Sequence, residues 1–127
     1  MTFRDAIRAG FANYVNFSGR AGLGEFWYWM LFIILVGIVT TILDATWFRD
    51  FYPISPLNDL LILATLLPGL AISVRRLHDT DRSGWWFLLW VIPLIGTIVL
   101  IVWWVQQGTP GPNRFGPNPP NRGVTSV

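Results

Sequence analysis

Cysteine is absent from this 127-residue chain, which excludes disulfides, thiolate metal sites and thiol nucleophiles. Lysine is absent as well: all nine basic residues are arginine. Charge of either sign is scarce, at 13% of residues against the roughly 25% of an ordinary soluble domain. Histidine occurs once, at His78. In their place stand hydrophobic residues, 53% of the chain, and a mean hydropathy of +0.49. This balance excludes a disordered chain, a collagen-like repeat and an ordinary soluble enzyme, and it leaves a small membrane protein. The net charge of +2 and the pI near 9.7 suit a chain facing anionic lipid headgroups. They do not suit one that wraps nucleic acid, and no nucleic-acid partner is expected.

Three apolar runs are long enough to matter. Phe26 to Leu43 is 18 residues without a formal charge, bounded by Glu25 and Asp44. As a helix it would be roughly 27 Å long, close to the ~30 Å hydrocarbon thickness. The second run, extended back to Ser55, predicts a span over 55–74 with a kink at Pro68, where a backbone donor is missing. The third predicts a span over 85–105, kinked at Pro93 and Gly96. A re-entrant hairpin turning at those two residues is the competing arrangement. Tryptophans mark the ends: Trp27 and Trp29 open the first run, Trp85 and Trp86 open the third, and Trp103 and Trp104 close it. Indoles favour the headgroup level, so these six are expected as interface anchors. Trp86 and Trp103 would stand roughly 26 Å apart along a straight helix.

Ahead of the spans, residues 2–17 predict an amphipathic helix rather than a cleaved signal. Phe3, Ile7, Gly10, Phe11, Tyr14 and Phe17 fall on one arc, and Asp5, Arg8, Asn13 and Asn16 on the other. Thr2 and Asp5 have capping-box spacing. Such a helix either lies in the membrane interface or packs on the protein's own cytoplasmic face. Residues 1–107 then form one integral membrane domain. Residues 108–127, rich in proline and glycine, form an extended, partly disordered strap with Phe115 against the membrane surface. The expected fold is therefore all-α. With three crossings, Arg4, Arg8, Arg20, Arg75, Arg76 and Arg82 share one side, and Arg49, Arg114 and Arg122 the other. The arginine excess puts the amino terminus and the 75–84 loop in the cytoplasm and the tail in the periplasm. A hairpin at Pro93–Gly96 would reverse the tail.

Few residues carry chemistry. Arg75, Arg76, His78, Asp79 and Arg82 form the most polar stretch. His78 beside Asp79 has the make-up of an acid–base pair, but no nucleophile or third metal ligand stands at a diagnostic spacing. No catalytic residue, metal or cofactor is expected. The arginines are read as topology determinants, with Asp79 and Asp81 partly neutralising them and Thr80 or Ser83 capping the next helix. Contact with lipid phosphates or an acidic partner surface is compatible with that role. The spans hold no midplane ionisable residue, which disfavours proton-coupled transport. Small residues recur at intervals of four, Gly37 and Thr41 on the first span and Thr65, Gly69 and Ser73 on the second, as helix-packing stripes do.

Three motifs, Phe17-Ser18-Gly19-Arg20-Ala21 ahead of Glu25-Phe26-Trp27, Arg75-Arg76-Leu77-His78-Asp79 to Arg82-Ser83-Gly84-Trp85-Trp86, and Gly108-Thr109-Pro110-Gly111-Pro112-Asn113-Arg114-Phe115-Gly116-Pro117, resemble the bacterial DUF805 family. The resemblance covers nearly the whole chain and implies a small multi-pass protein of the bacterial plasma membrane, with no catalytic or binding residues to carry over. Asp81 departs from the small residue common there and adds a negative charge beside Arg82. The expected role is non-enzymatic: an accessory, structural or assembly subunit of a larger membrane complex, of respiratory or photosynthetic type. The alternative is a transporter or channel subunit acting as a homo-oligomer.

Overall fold

The computed structural model describes residues 2–119. The far end of the expected tail, Pro120 to Val127 with Arg122, lies outside the described residues. Within them the fold is helical: α1 (Phe3–Ala12), α2 (Leu23–Thr46), α3 (Pro56–Asp79) and α4 (Ile95–Val105), with 3-10 segments at Arg49–Phe51 and Gly84–Val91. No strand forms among these residues; Asn113 and Gly116 make one isolated bridge.

Helices α2 and α3 are the two helices long and apolar enough to cross a membrane. Each is longer than the uncharged run that predicts it, because the flanking charges are matched rather than expelled. Glu25 stays inside α2 by pairing with Arg75. Asp44 stays inside it by receiving the backbone N–H groups of Leu57 and Asn58, at 3.0 and 2.9 Å. The first N–H groups of a helix lack internal partners and its amino end carries partial positive charge. Ser55 makes no side-chain cap at α3, and Asp44 serves in its place from the neighbouring helix. The antiparallel α2–α3 hairpin is thus fastened at both ends. Between them Gly37 lies against Leu61, and Thr40 and Thr41 bond to Asn58.

α1 begins with the expected capping box, Thr2 and Asp5 bonding each other's backbone N–H at 3.1 and 3.2 Å. Those bonds from Thr2 hold the Asp5 carboxyl below the usual carboxylate range. Its apolar face is covered by protein, not by lipid alone. Gly10 lies so close to Trp29 that a β-carbon would collide with the ring. Phe11 packs edge-on against Trp29 and Phe32. Beyond the helix, the Tyr14 hydroxyl donates to the Ala64 carbonyl. That carbonyl is the one Pro68 leaves without its i+4 donor. The proline defect in α3 is therefore repaired from α1's end of the chain.

The third apolar run does not form one span over 85–105. Gly84–Val91 winds as a 3-10 helix, the chain turns at Ile92-Pro93-Leu94, and α4 returns. Pro93 has no N–H to continue a helix and pushes Ile92 into an extended conformation, φ −86° and ψ 106°. Leu94 takes a positive φ of 66° at the bend. Gly96 closes it, because any β-carbon there would strike the Leu89 carbonyl. Each limb is about 16 Å long, half a bilayer. The rings of Trp86 and Trp103 are 5.6 Å apart instead of a span's length. The competing hairpin is the arrangement adopted, and it returns the tail to the end of the bundle that holds Arg20.

Tyr14→Phe should destabilise the fold by about 1 kcal/mol, the scale of one hydrogen bond within a bundle. The same change in a Pro68→Ala background should cost measurably less, because α3 then satisfies Ala64 itself. Detergent melting curves of the four proteins test this; equal losses in both backgrounds would refute the link.

Candidate functional site

The polar residues converge at the end of the bundle where α3 stops. Asp79 is fully buried and sits between two guanidinium groups. Arg20 Nε donates to its Oδ1 at 3.0 Å and Arg76 Nη1 to its Oδ2 at 2.7 Å. Charge-assisted pairs of this kind outweigh neutral hydrogen bonds, and burial makes each partner indispensable to the others.

The guanidiniums reach past Asp79 into the carboxy-terminal strap. Arg20 donates to the Thr109 carbonyl at 2.6 Å and the Gly111 carbonyl at 2.7 Å. Arg76 donates to the Trp104 carbonyl at 3.1 Å and to that of Gln106. The Trp104 carbonyl in the last turn of α4 and that of its C-cap Gln106 thereby gain partners. The Thr109 N–H donates back to the Asp79 carbonyl at 2.7 Å. Only arginine, with five donors in a planar fork, can bridge one carboxylate and several carbonyls at once.

His78 closes the cluster on the other side. Its ring stacks on Phe115 with centroids 4.0 Å apart and planes 2° from parallel. Its Nδ1 lies 2.9 Å from the Gly19 carbonyl, so that nitrogen carries the proton. Asn113 Nδ2 donates to the His78 carbonyl at 2.9 Å. The three motif segments, 17–20, 75–82 and 109–117, therefore meet in one place.

Most of the five residues expected at lipid headgroups are occupied otherwise. Arg76 and Asp79 are fully buried; Arg75, at 3% exposure, pairs with Glu25 at 2.5 Å. The Nε and Nη2 of Arg75 have no partner. His78 is buried against Phe115. Arg82 alone lies at the surface, stacked 4.4 Å from the Trp103 ring and bonded to Gln106 Oε1 at 3.2 Å. Asp81, expected to neutralise Arg82, pairs with Arg114 at 3.3 Å. Phe115 packs on His78 rather than on the membrane surface. Ser83 caps as expected, accepting the Trp85 N–H at 3.3 Å.

The tryptophans divide similarly. Trp85 and Trp86 are exposed, as anchors should be, whereas Trp29 and Trp104 belong to the core and Trp27 donates to the Trp104 carbonyl at 3.2 Å. Of the small residues, Gly37 and Thr41 face α3. The hydroxyls of Thr65 and Ser73 turn back to the Leu61 and Gly69 carbonyls of their own helix, and Gly69 faces open space. Among the described residues, no group of three potential metal ligands gathers. Arg20, Glu25, Gln106 and Asn113 were not expected at the cluster from spacing alone. Their only signal is that they lie in or beside the polar motifs of an otherwise apolar chain.

Residues 14–117, which include all three motif segments, match the family described as "Protein of unknown function (DUF805)". The chain belongs to this family. It is similar to the inner membrane protein YhaI of Escherichia coli K12, 45% identical over 107 residues, covering 84% of this chain and 88% of the relative. It is equally similar to the inner membrane protein YhaH of the same organism, 46% identical over 109 residues, covering 84% and 89%. No solved structure matches it. With α2 and α3 long and apolar, this DUF805 chain is a bacterial membrane protein.

Asp79→Asn keeps the side-chain volume but strips the counter-charge from two buried arginines. It should cost about 3–5 kcal/mol, seen as a lower Tm and protease cleavage within 108–117. Arg114→Ala, at an ion pair that is half exposed, should stay within about 0.5 kcal/mol. Similar Tm values for the two variants would contradict the assignment of the clamp to Asp79.

Proposed function

We propose that this DUF805 protein is a non-enzymatic subunit of the bacterial inner membrane, serving an accessory, structural or assembly role on a larger membrane complex. The observation that carries this reading is how its polar groups are spent. Arg20, Arg75, Arg76 and Asp79 are each committed to holding helix ends and strap together, and His78 is stacked and bonded within the same cluster. A catalytic group has to meet substrate, and these are turned inward. Outward, α2 and α3 present continuous apolar faces, Ile34, Ile38 and Ile42 on one and Leu60, Leu63 and Leu67 on the other. Surfaces of this kind suit lateral packing against another membrane protein as well as against acyl chains.

Two crossings and a half-depth hairpin support one orientation. Arg4, Arg8, Arg20, Arg75, Arg76, Arg82 and Arg114 then share an end, and Arg49 lies at the other. The arginine-rich end, with the amino terminus and the strap, faces the cytoplasm. This replaces the periplasmic tail expected from three crossings.

Two measurements test the proposal. Green fluorescent protein fused after Val127 should fluoresce, and alkaline phosphatase inserted near Asp50 should be active; the opposite pattern would overturn the orientation. Extraction in mild detergent should recover a stoichiometric membrane-protein partner. A lone monomer, or a homo-oligomer that conducts solutes in liposomes, would overturn the subunit role.

A further inference from the structure

The helical mass of this protein is divided unequally along its length. At the arginine-rich end, α2 and α3 are joined by three further segments: α1, the 3-10 limb Gly84–Val91 and α4. α1 packs on that end of α2, Phe3 edge-on to Tyr28 with centroids 5.9 Å apart and Phe11 to Phe32 at 6.1 Å. The chain after α1 goes no deeper than the Ala64 carbonyl, near the middle of α3, where the Tyr14 hydroxyl bonds. The hairpin starts level with Arg76, which holds the Trp104 carbonyl at 3.1 Å. Near its turn, Trp90 borders the same cavity as Thr65 and Gly69, again in the middle of α3. Beyond that level, among the described residues, only α2 and α3 continue, with the 3-10 turn Arg49–Phe51 between them.

The turn of the hairpin suits hydrocarbon. Val91, Leu94 and Ile95 are 78%, 73% and 67% exposed, and no charged side chain lies between Arg82 and Arg114. The backbone is bonded within the turn: the N–H groups of Ile92, Ile95 and Gly96 donate to the Leu89, Pro93 and Ile92 carbonyls at 2.9, 2.8 and 3.1 Å. Pro93 has no N–H to leave unmet. Backbone bonded in this way tolerates acyl chains, and exposed apolar side chains favour them over water. The hairpin therefore ends inside the bilayer and adds its two limbs to one leaflet only. At ~10 Å across each, the limbs bring roughly 160 Å² of cross-section that has no counterpart in the other leaflet.

A bowed bilayer has more area in its convex leaflet than in its concave one, and the looser packing there favours inserted apolar groups. A body wide in one leaflet and narrow in the other fits that shape. In a flat bilayer the lipids around it must tilt or thin to follow its outline, at a modest cost. We propose that this DUF805 protein is a membrane wedge, and that its partner is a lipid surface bowed outward on the arginine-rich side. It collects on such a surface and, in numbers, stabilises the bow. The wedge follows from the hairpin, and it needs neither the subunit role nor a particular side of the membrane for the strap.

The test uses full-length protein reconstituted from detergent into vesicles of phosphatidylethanolamine and phosphatidylglycerol, separated into fractions of about 30 nm and about 400 nm diameter. Ser18→Cys, in the exposed loop before α2, marks the arginine-rich end, and Asp50→Cys in the 3-10 turn marks the other; the chain has no cysteine of its own. A membrane-impermeant maleimide then counts the molecules that have each end outside. The ratio of Ser18→Cys to Asp50→Cys labelling should be about twofold higher in the small vesicles than in the large ones, the scale of a modest packing cost. Lysophosphatidylglycerol, whose broad head and single chain fill a convex leaflet, should bring the small-vesicle ratio down towards the large-vesicle value. A ratio independent of diameter, as a second copy seated beneath the hairpin would also give, overturns the wedge. So does a size-dependent ratio that the lysolipid leaves unchanged, the sign of a polar end too bulky to enter small vesicles.

Discussion

Asp79 is the single carboxylate on which the end of the bundle where α3 stops is organised. Two arginines from distant parts of the chain share it, and neither tolerates burial without it. Arg20 arrives from the loop before α2 and Arg76 from the last turn of α3. Arg20 then uses its remaining donors on carbonyls of the strap, and Arg76 uses its own on the Trp104 and Gln106 carbonyls at the end of α4. The consequence is topological. A strap fixed at Asp79 cannot leave from the opposite face, so the last apolar run has to go out and come back. Pro93, Leu94 and Gly96 supply the bend that makes this possible. A buried ion cluster is poor support for high stability, since a well-packed apolar set of similar volume often does as well. What it contributes here is a single arrangement of three segments that hydrophobic packing alone would leave free to slide.

The same logic governs the rest of the bundle: every interruption in the apolar pattern is answered from another element. Pro68 releases a carbonyl and Tyr14 takes it up. α3 starts without a side-chain cap and Asp44 provides one. Glu25 intrudes on α2 and Arg75 meets it. In hydrocarbon an unanswered backbone or charged group is expensive, so the repairs tie α1, α2, α3 and the strap into one unit despite a small apolar core.

Composition and the first two runs made the membrane class and the α2–α3 hairpin legible in the sequence, because apolar length is a direct physical requirement for crossing. The capping box at Thr2 and Asp5, and the motifs that came together, were legible too. The third run was not. Its 21 uncharged residues satisfy a span and a hairpin equally, and the choice depends on contacts with Arg76 and Arg20 that lie far away in sequence. For the same reason Arg75, Arg76, His78 and Asp79 read as headgroup contacts. Spacing places charges near a membrane surface, but it does not reveal that Glu25 and the strap carbonyls have been brought to meet them. Trp29 and Trp104 look like interface anchors by position and are core residues because Gly10 and Phe26 pack on them.

The central claim is that the last apolar run folds back on itself, held there by the strap at Asp79. The natural absence of cysteine gives a clean background for Trp86→Cys with Trp103→Cys in the full-length protein. Spin labels on the pair, in vesicles, report the separation of the two limbs by pulsed electron paramagnetic resonance. A short distance, in the range of adjacent side chains, is the result predicted by rings 5.6 Å apart. A distance near 26 Å, the rise of an unbroken helix between those positions, would contradict it.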